Sequence, residues 1–295
     1  MLDWIAAHAP GLIVPLTIGL LVLVGAAETV VPYRAPSASA TRRWATNLGL
    51  WLTNHGAIAL LAPAAFAAWL LEAAVELPRP FAVLQAVWGD VAVVVAGVLL
   101  IDLFAYLTHR LSHAVPLLWR FHAVHHADAE LDASTAFRHH PGEYLVNATA
   151  AALAFTALGV PPGVFAVYAA LSLISELLQH ANLSFPGRLS SALSAALVTP
   201  ALHRTHHSTT VAHHGSNFGT VLSIWDRLFG TLQQLDPEDA RRLKFGLPSV
   251  SGERDSPWRA LSMPLRAKPP GRAGRGAHSS SSVEPRHAQA VDDLR

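Results

Sequence analysis

Apolar residues fall in long blocks along the chain, not in alternating or narrow one-faced patterns. Residues 11–33 hold a single charge, Glu28, and are long enough to cross a bilayer as a helix. This block is too long and too weakly flanked for a signal peptide. A second block runs from Thr46 to Leu71, and a third covers 82–108, interrupted by Asp90 and Asp102. After a polar stretch at 109–142, a fourth runs from Tyr144 to Val160. Pro161-Pro162-Gly163 breaks it, and a fifth extends from Val164 to Leu178, which predicts a hairpin of helices around the turn. Each span must be helical, because a lone strand leaves its backbone groups unpaired in lipid. From 190 to 232 the pattern is amphipathic, with Trp225 and Phe229 beside Asp226 and Arg227, and predicts interfacial or cytoplasmic helices.

Composition turns these blocks into a membrane protein. Apolar residues make up 52% of the 295 and charged residues 14%, against about 25% charged in soluble proteins; mean hydropathy is +0.33. The expected fold is therefore all-α and polytopic, with about four to five membrane helices and a cytoplasmic, histidine-lined helical cap. We divide it into N-terminal membrane helices (1–81), a histidine-bearing domain (82–240) and a tail (241–295). The tail carries eleven basic against five acidic residues and is rich in Pro, Gly and Ser, so it is expected to be disordered.

Charge sets the orientation. Arg34, Arg42 and Arg43 follow the first block, whereas the stretch after the second has Glu72, Glu76 and only Arg79. Placing the arginines inside leaves His109, His180 and all that follows on the cytoplasmic face. Nineteen of the 21 basic residues are Arg, a bias that points to a GC-rich bacterial genome and so to a bacterial inner membrane. A net charge of +1 gives no global field for nucleic acid. Zero cysteines exclude disulfides, thiolate catalysis, iron–sulfur clusters and cysteine zinc sites.

Seventeen histidines remain to be explained, and thirteen lie in three places: seven in 109–140, one at 180 and five in 203–214. His109 and His113 form H-x-x-x-H, and on a helix i and i+4 share one face. His122, His125 and His126 form H-x-x-H-H, repeated by His203, His206 and His207. Here i and i+3 are expected to share a face, with the adjacent histidine turned towards a second metal. So many crowded imidazoles would repel one another on protonation and cost free energy to bury, which metal binding offsets. Imidazole suits zinc, copper, iron and nickel. A structural zinc takes four ligands, so eight or more histidines indicate two ions.

In order and spacing, HRLSH (109–113), WRFHAVHH (119–126), RHHPGE (138–143), QHAN (179–182) and HRTHH (203–207) resemble the membrane-bound fatty acid hydroxylase/sterol desaturase superfamily. SNFG (216–219) and WDRLFGT (225–231) resemble its end signature, so the likeness covers about residues 90–232. The resemblance implies a non-haem centre of two Fe that uses dioxygen to hydroxylate or desaturate a lipid. It implies His109, His113, His122, His125, His126, His203, His206 and His207 as ligands, with His140 and His180 as the ninth and tenth. It also implies a lipid substrate from the bilayer. With no carrier domain visible, electrons are expected from a separate ferredoxin or cytochrome b type donor with its reductase. His139, His213 and His214 are left outside the ligand set, and His55 is expected to be a packed interior residue.

Outer partners follow from helical spacing. Asp102, Tyr106, His109 and His113 form one stripe, so Asp102 is expected either to orient a ligand imidazole or to pair with an arginine and stabilise the bundle. Glu176, four residues before His180, has the same two readings. Asn182 either holds a metal-bound water or caps the helix; Asp128 and Asp132 contact ligands or cap helices. Two other functions fit a histidine-rich membrane protein. A b-type cytochrome needs paired axial histidines at depth, and a metal-binding or transport protein without oxygenase activity needs polar residues lining its spans.

Overall fold

A computed structural model describes residues 1–35, 40–74, 80–210, 213–247 and 255–266, with only the backbone for 61–74. The described residues are helical, with isolated bridges and no strand. The long helices are α1 (Leu2–Val30), α2 (Ala40–Ala74), α3 (Pro80–Ala114), α5 (Pro141–Leu158) and α6 (Pro162–His180). Short helices complete the polar end: α4 (Pro116–His126), α7 (Gly187–Leu193), α8 (Pro200–His206), α9 (Ile224–Leu228), α10 (Pro237–Arg242) and α11 (Pro257–Ser262). Proline leads α4, α5, α6 and α8 at the first or second position, where its missing N–H costs nothing.

Among the described residues, α1, α3 and α6 are long and apolar enough to cross a membrane. Val83, Val87, Trp88, Val91 and Val95 on α3 are more than half exposed, an apolar surface that suits lipid, not water. The hairpin forms as its sequence dictates: Gly159 ends α5 in the left-handed region (φ 65°), and Pro161-Pro162 restarts the chain as α6. Gly89 (φ 76°) kinks α3, a conformation that other residues adopt only with strain. Just beyond it, Asp90 accepts from Gln85 Nε2 at 2.8 Å and pairs with the Met1 amino group at 3.2 Å.

α1 and α3 pack on α6, while α2 packs on α5 and on a 3₁₀ turn, Ala133–Phe137. Asp132 caps that turn by accepting from Ser134 N, and it also binds Arg43 and the Trp44 indole. Asp128 pairs with Arg43 and accepts from Asn47 and Thr135, so both aspartates anchor loops instead of touching ligand imidazoles. His55 is exposed, bonded to the Trp51 carbonyl, in contrast to the packed interior expected of it.

Disorder is expected from residue 241 onward, and it holds neither for 241–247, where Leu243 and Leu247 are buried and Phe245 bridges Ser208, nor for 255–266. Ala260 and Met263 join Leu50, Trp119, Ala123, Val124 and Leu247 in one buried cluster. Asp255 receives both terminal nitrogens of the buried Arg138, at 2.8 and 3.0 Å. Composition averaged over 55 residues hid this short amphipathic piece. Residues 267–295 lie outside the described residues.

Candidate metal centre

Four elements deliver imidazoles to one place: the end of α3, α4, the end of α6, and α8 with the residue after it. Nine histidines form two groups whose nitrogens lie within 4.8 Å of one another. The first holds His109, His113, His122, His126 and His206; the second holds His125, His180, His203 and His207. The neighbours His125 and His126 thus serve different groups, as do His206 and His207. Within each H-x-x-H-H, the pair that converges is i, i+4 (His122 with His126, His203 with His207), not i, i+3 as expected from spacing. At 3.6 residues per turn, i+4 lies about 40° off the starting face and i+3 about 60° off.

Outer contacts fix ring tautomers in the first group. His109 Nδ1 donates to the Phe218 carbonyl at 2.9 Å, and His206 Nδ1 to the Ser216 carbonyl at 2.7 Å. His122 Nδ1 lies 2.7 Å from Glu143 Oε1. A carbonyl only accepts, so the Nε2 atoms of His109 and His206 are bare acceptors. The SNFG stretch supplies both carbonyls because Asn217 takes a left-handed conformation (φ 56°), with its amide donating to Leu202 and Gln233 carbonyls. Asp226 clamps the same stretch by accepting from Phe218 N and Gly219 N.

In the second group, Nε2 atoms face one another. His180 Nε2 is 3.2 Å from that of His125 and 2.8 Å from that of His203, which is 3.0 Å from that of His207. His180 Nδ1 donates to the Glu176 backbone carbonyl at 2.7 Å, so its Nε2 is an acceptor aimed at other ring nitrogens. Two nitrogens each about 2.1 Å from a shared ion, at right angles, would be about 3.0 Å apart, which matches this spacing. Buried nitrogens without any hydrogen-bond partner include His109 Nε2, His122 Nε2, His206 Nε2 and both nitrogens of His113 and His126. Unpaired buried donors and acceptors are costly, and a cation satisfies them; the nitrogen-only donor set fits iron, zinc, copper or nickel.

Burial, reinforced by neighbouring imidazoles, holds His125, His126, His203, His206 and His207 well below the ordinary imidazole pKa. They are therefore neutral, the form that binds metal, at physiological pH.

Three expected site residues lie elsewhere. His140 caps α5: its Nδ1 accepts from Gly142 N and its Nε2 is 3.1 Å from the Leu261 carbonyl, so neither nitrogen is free. Asp102 takes its hydrogen bonds from Tyr168, Val221 N, Leu222 N and the Trp225 indole, none of them an imidazole. Asp102 thus anchors the bundle, but through neutral donors and not through the arginine expected of it. Asn182 exchanges hydrogen bonds with the Arg34 backbone, joining the ends of α6 and α1. His213 and His214 lie outside both groups, engaged with Ser208. The outer partner that spacing missed is Glu143, inside RHHPGE and 21 residues from the His122 it holds; an acidic residue that distant carries no periodic signal.

Between α3, α5 and α6 a cavity of about 350 Å³ reaches His109, His122, His125, His180 and His203. Its far end is lined by Ile101, Ala148, Ala151, Phe155 and Phe165.

A family model described as "Fatty acid hydroxylase" matches residues 94–231, which contain all nine clustered histidines. The chain is 35% identical over 144 residues to ornithine lipid hydroxylase OlsE of Rhizobium tropici, covering 49% of this chain and 43% of that protein. It is 32% identical over 133 residues to alkylglycerol monooxygenase of Danio rerio, covering 44% and 28%. It is 30% identical over 197 residues to a cholesterol 25-hydroxylase-like protein of Danio rerio, covering 66% and 74%. The chain thus spans less than half the length of the first two. No solved structure matches it.

Proposed function

Because the chain belongs to the fatty acid hydroxylase family, we propose that it is a membrane oxidoreductase holding two iron ions. It uses dioxygen and external electrons to hydroxylate or desaturate a C–H bond of a bilayer lipid. The observation that carries this reading is the pair of nitrogen groups opening on a cavity with an apolar far end. Iron bound there supplies dioxygen activation and removal of hydrogen from an unactivated C–H bond. Hydroxylation consumes one dioxygen, two electrons and two protons, and yields an alcohol and a water. Desaturation consumes the same and yields an alkene and two waters.

The chain's own residues do the positioning. His109, His113, His122, His126 and His206 hold one ion; His125, His180, His203 and His207 hold the other. Glu143 and the carbonyls of Phe218, Ser216 and Glu176 orient four of these rings and keep them from swinging out of reach. Ile101, Phe155 and Phe165 line the route for an alkyl chain and exclude water from the reacting carbon. Electrons come from a separate carrier of ferredoxin or cytochrome b type. The arginine asymmetry supports a site on the cytoplasmic face, and the bias of Arg over Lys supports a bacterial inner membrane; a cysteine at Ser190 labelled only from outside the cell would reverse this orientation.

Comparative lipidomics tests the activity. Aerobic cells making the chain should contain a lipid with one added oxygen or two fewer hydrogens, absent when His125→Ala replaces it. Identical lipids from the two, with iron bound in the first, would contradict the proposal.

A further inference from the structure

The cavity is not uniformly apolar. Along α5 its lining runs Glu143, Asn147, Ala151, Phe155, polar near the histidines and apolar beyond. Along α6 it runs in reverse: Phe165 and Tyr168, then Ser172, Glu176 and Gln179, ending at His180. Both stripes repeat at helical spacing, so one cavity has a polar belt beside the metal groups and an apolar shaft beyond it.

Most of the belt is already engaged. Glu143 holds His122, Tyr168 donates to Asp102, Ser172 donates to the Ala169 carbonyl and Thr108 to the Ala105 carbonyl. Four side chains are not: Tyr144, Asn147, Glu176 and Gln179 make no side-chain hydrogen bond to a described residue, and of these Glu176 interacts through its charge with His139. Gln179 is 2% exposed, and its Oε1 is a buried acceptor without a donor. Polar groups inside a membrane bundle are costly, and an acid there calls for a function. A shaft built only for unsubstituted methylenes would be better lined by Leu or Phe at these positions.

Resting on the oxygenase reading above, we infer that the lipid acted on carries a hydrogen-bond donor (a hydroxyl, amide N–H or ammonium) close to the carbon that reacts. Glu176, Gln179 and Asn147 receive this donor. Its distance follows from helix geometry. Asn147 is one turn from Glu143, about 6 Å along the axis, which an extended chain covers in about five bonds. The apolar shaft then takes the lipid's tail, from Ala148 to Phe155 and Phe165. The carbon oxidised thus lies near the lipid's polar end, while remote methylenes stay in the shaft, away from the histidines.

The position of oxidation tests this directly. Cells making the full chain are grown under ¹⁸O₂, and tandem mass spectrometry locates the label, or a new double bond, in every lipid that changes. The expected product is modified within about five bonds of an O–H- or N–H-bearing atom. Modification in mid-chain or at a chain terminus, remote from any donor, would overturn the inference and leave the oxygenase reading intact. No modified lipid at all would overturn both. The variants Glu176→Gln, Gln179→Leu and Asn147→Leu, each checked for unchanged iron content, provide the second arm. Gln179→Leu and Asn147→Leu should lower the labelled product about fivefold or spread it over neighbouring carbons, the effect of one lost neutral hydrogen bond. Glu176→Gln should be milder because an acceptor remains. Unchanged yield and position in both leucine variants would overturn the assignment of these residues.

Discussion

The two histidine groups sit side by side yet are held by different means. In the group of five, His109, His122 and His206 each have an outer partner that fixes the ring: the Phe218 carbonyl, the Glu143 carboxylate and the Ser216 carbonyl. In the group of four, only His180 has one among the described residues, and the rest are held by packing of imidazole on imidazole. His126 and His207, from different groups, stack at 4.5 Å. One site is thus organised by protein scaffolding before metal arrives, whereas the other depends on the ion to satisfy ring nitrogens that face one another. The sites should therefore respond unequally to the same disturbance.

Removing a ligand from each group is the largest such disturbance. His206→Ala should strip the ion from the group of five and His203→Ala that from the group of four, each abolishing turnover while leaving close to one iron. Metal analysis of the purified variants checks this; equal, full iron in both would break the partition.

Truncation before residue 255 should rank next and strike both groups. It uncovers Trp119 and Val124 on α4, the helix that serves both sites, and leaves the buried Arg138 without Asp255. Losing this contact and the apolar cover of α4 together should lower thermal unfolding in detergent by several degrees. Truncation after Arg266 should change little.

Glu143→Gln sharpens the comparison, since only the group of five has a carboxylate behind it. Affinity for that ion should fall by about 10–100-fold, read by chelator competition, with the other ion retained. Equal weakening of both would show that the scaffolding is shared.

Acidification should have the smallest effect per group. His125, His126, His203, His206 and His207 are held below the ordinary imidazole pKa. The unfolded chain therefore takes up protons from about pH 6.5 downward that the folded chain cannot. Stability of the metal-free protein should be flat above about pH 7.5 and fall as pH drops through 6.5, by at most about 1.4 kcal/mol per pH unit per group. Urea midpoints across that range measure it, and a rise in stability on acidification would reverse the sign.

Much of this was legible in the chain. Apolar block lengths marked the long helices, and Pro161-Pro162 marked the hairpin because proline punctuates helices by covalent geometry alone. The spacing of His109, His113, His122, His126, His206 and His207 marked a metal-binding end. What escaped was long-range. Asp102 shares a stripe with His109, yet its partners come from residues 168 and 221–225, which no helical period reveals. Glu143 meets His122 only because α4 and α5 pack together. That neighbouring histidines serve different ions was legible; which of His125 and His126 joins His122 required the observed helix faces, since i+3 and i+4 lie at similar angles on opposite sides of the starting face. The 255–266 segment was obscured by the composition of its neighbours.

The central claim is that nine histidines divide five and four around two ions. Iron content and Mössbauer spectra of the anaerobically reconstituted chain test it most directly. The account predicts two irons per chain in two nitrogen-rich environments, with His203→Ala removing one of the two signals and leaving the other. A single iron per chain in the unsubstituted protein, or loss of both signals together in His203→Ala, would contradict it.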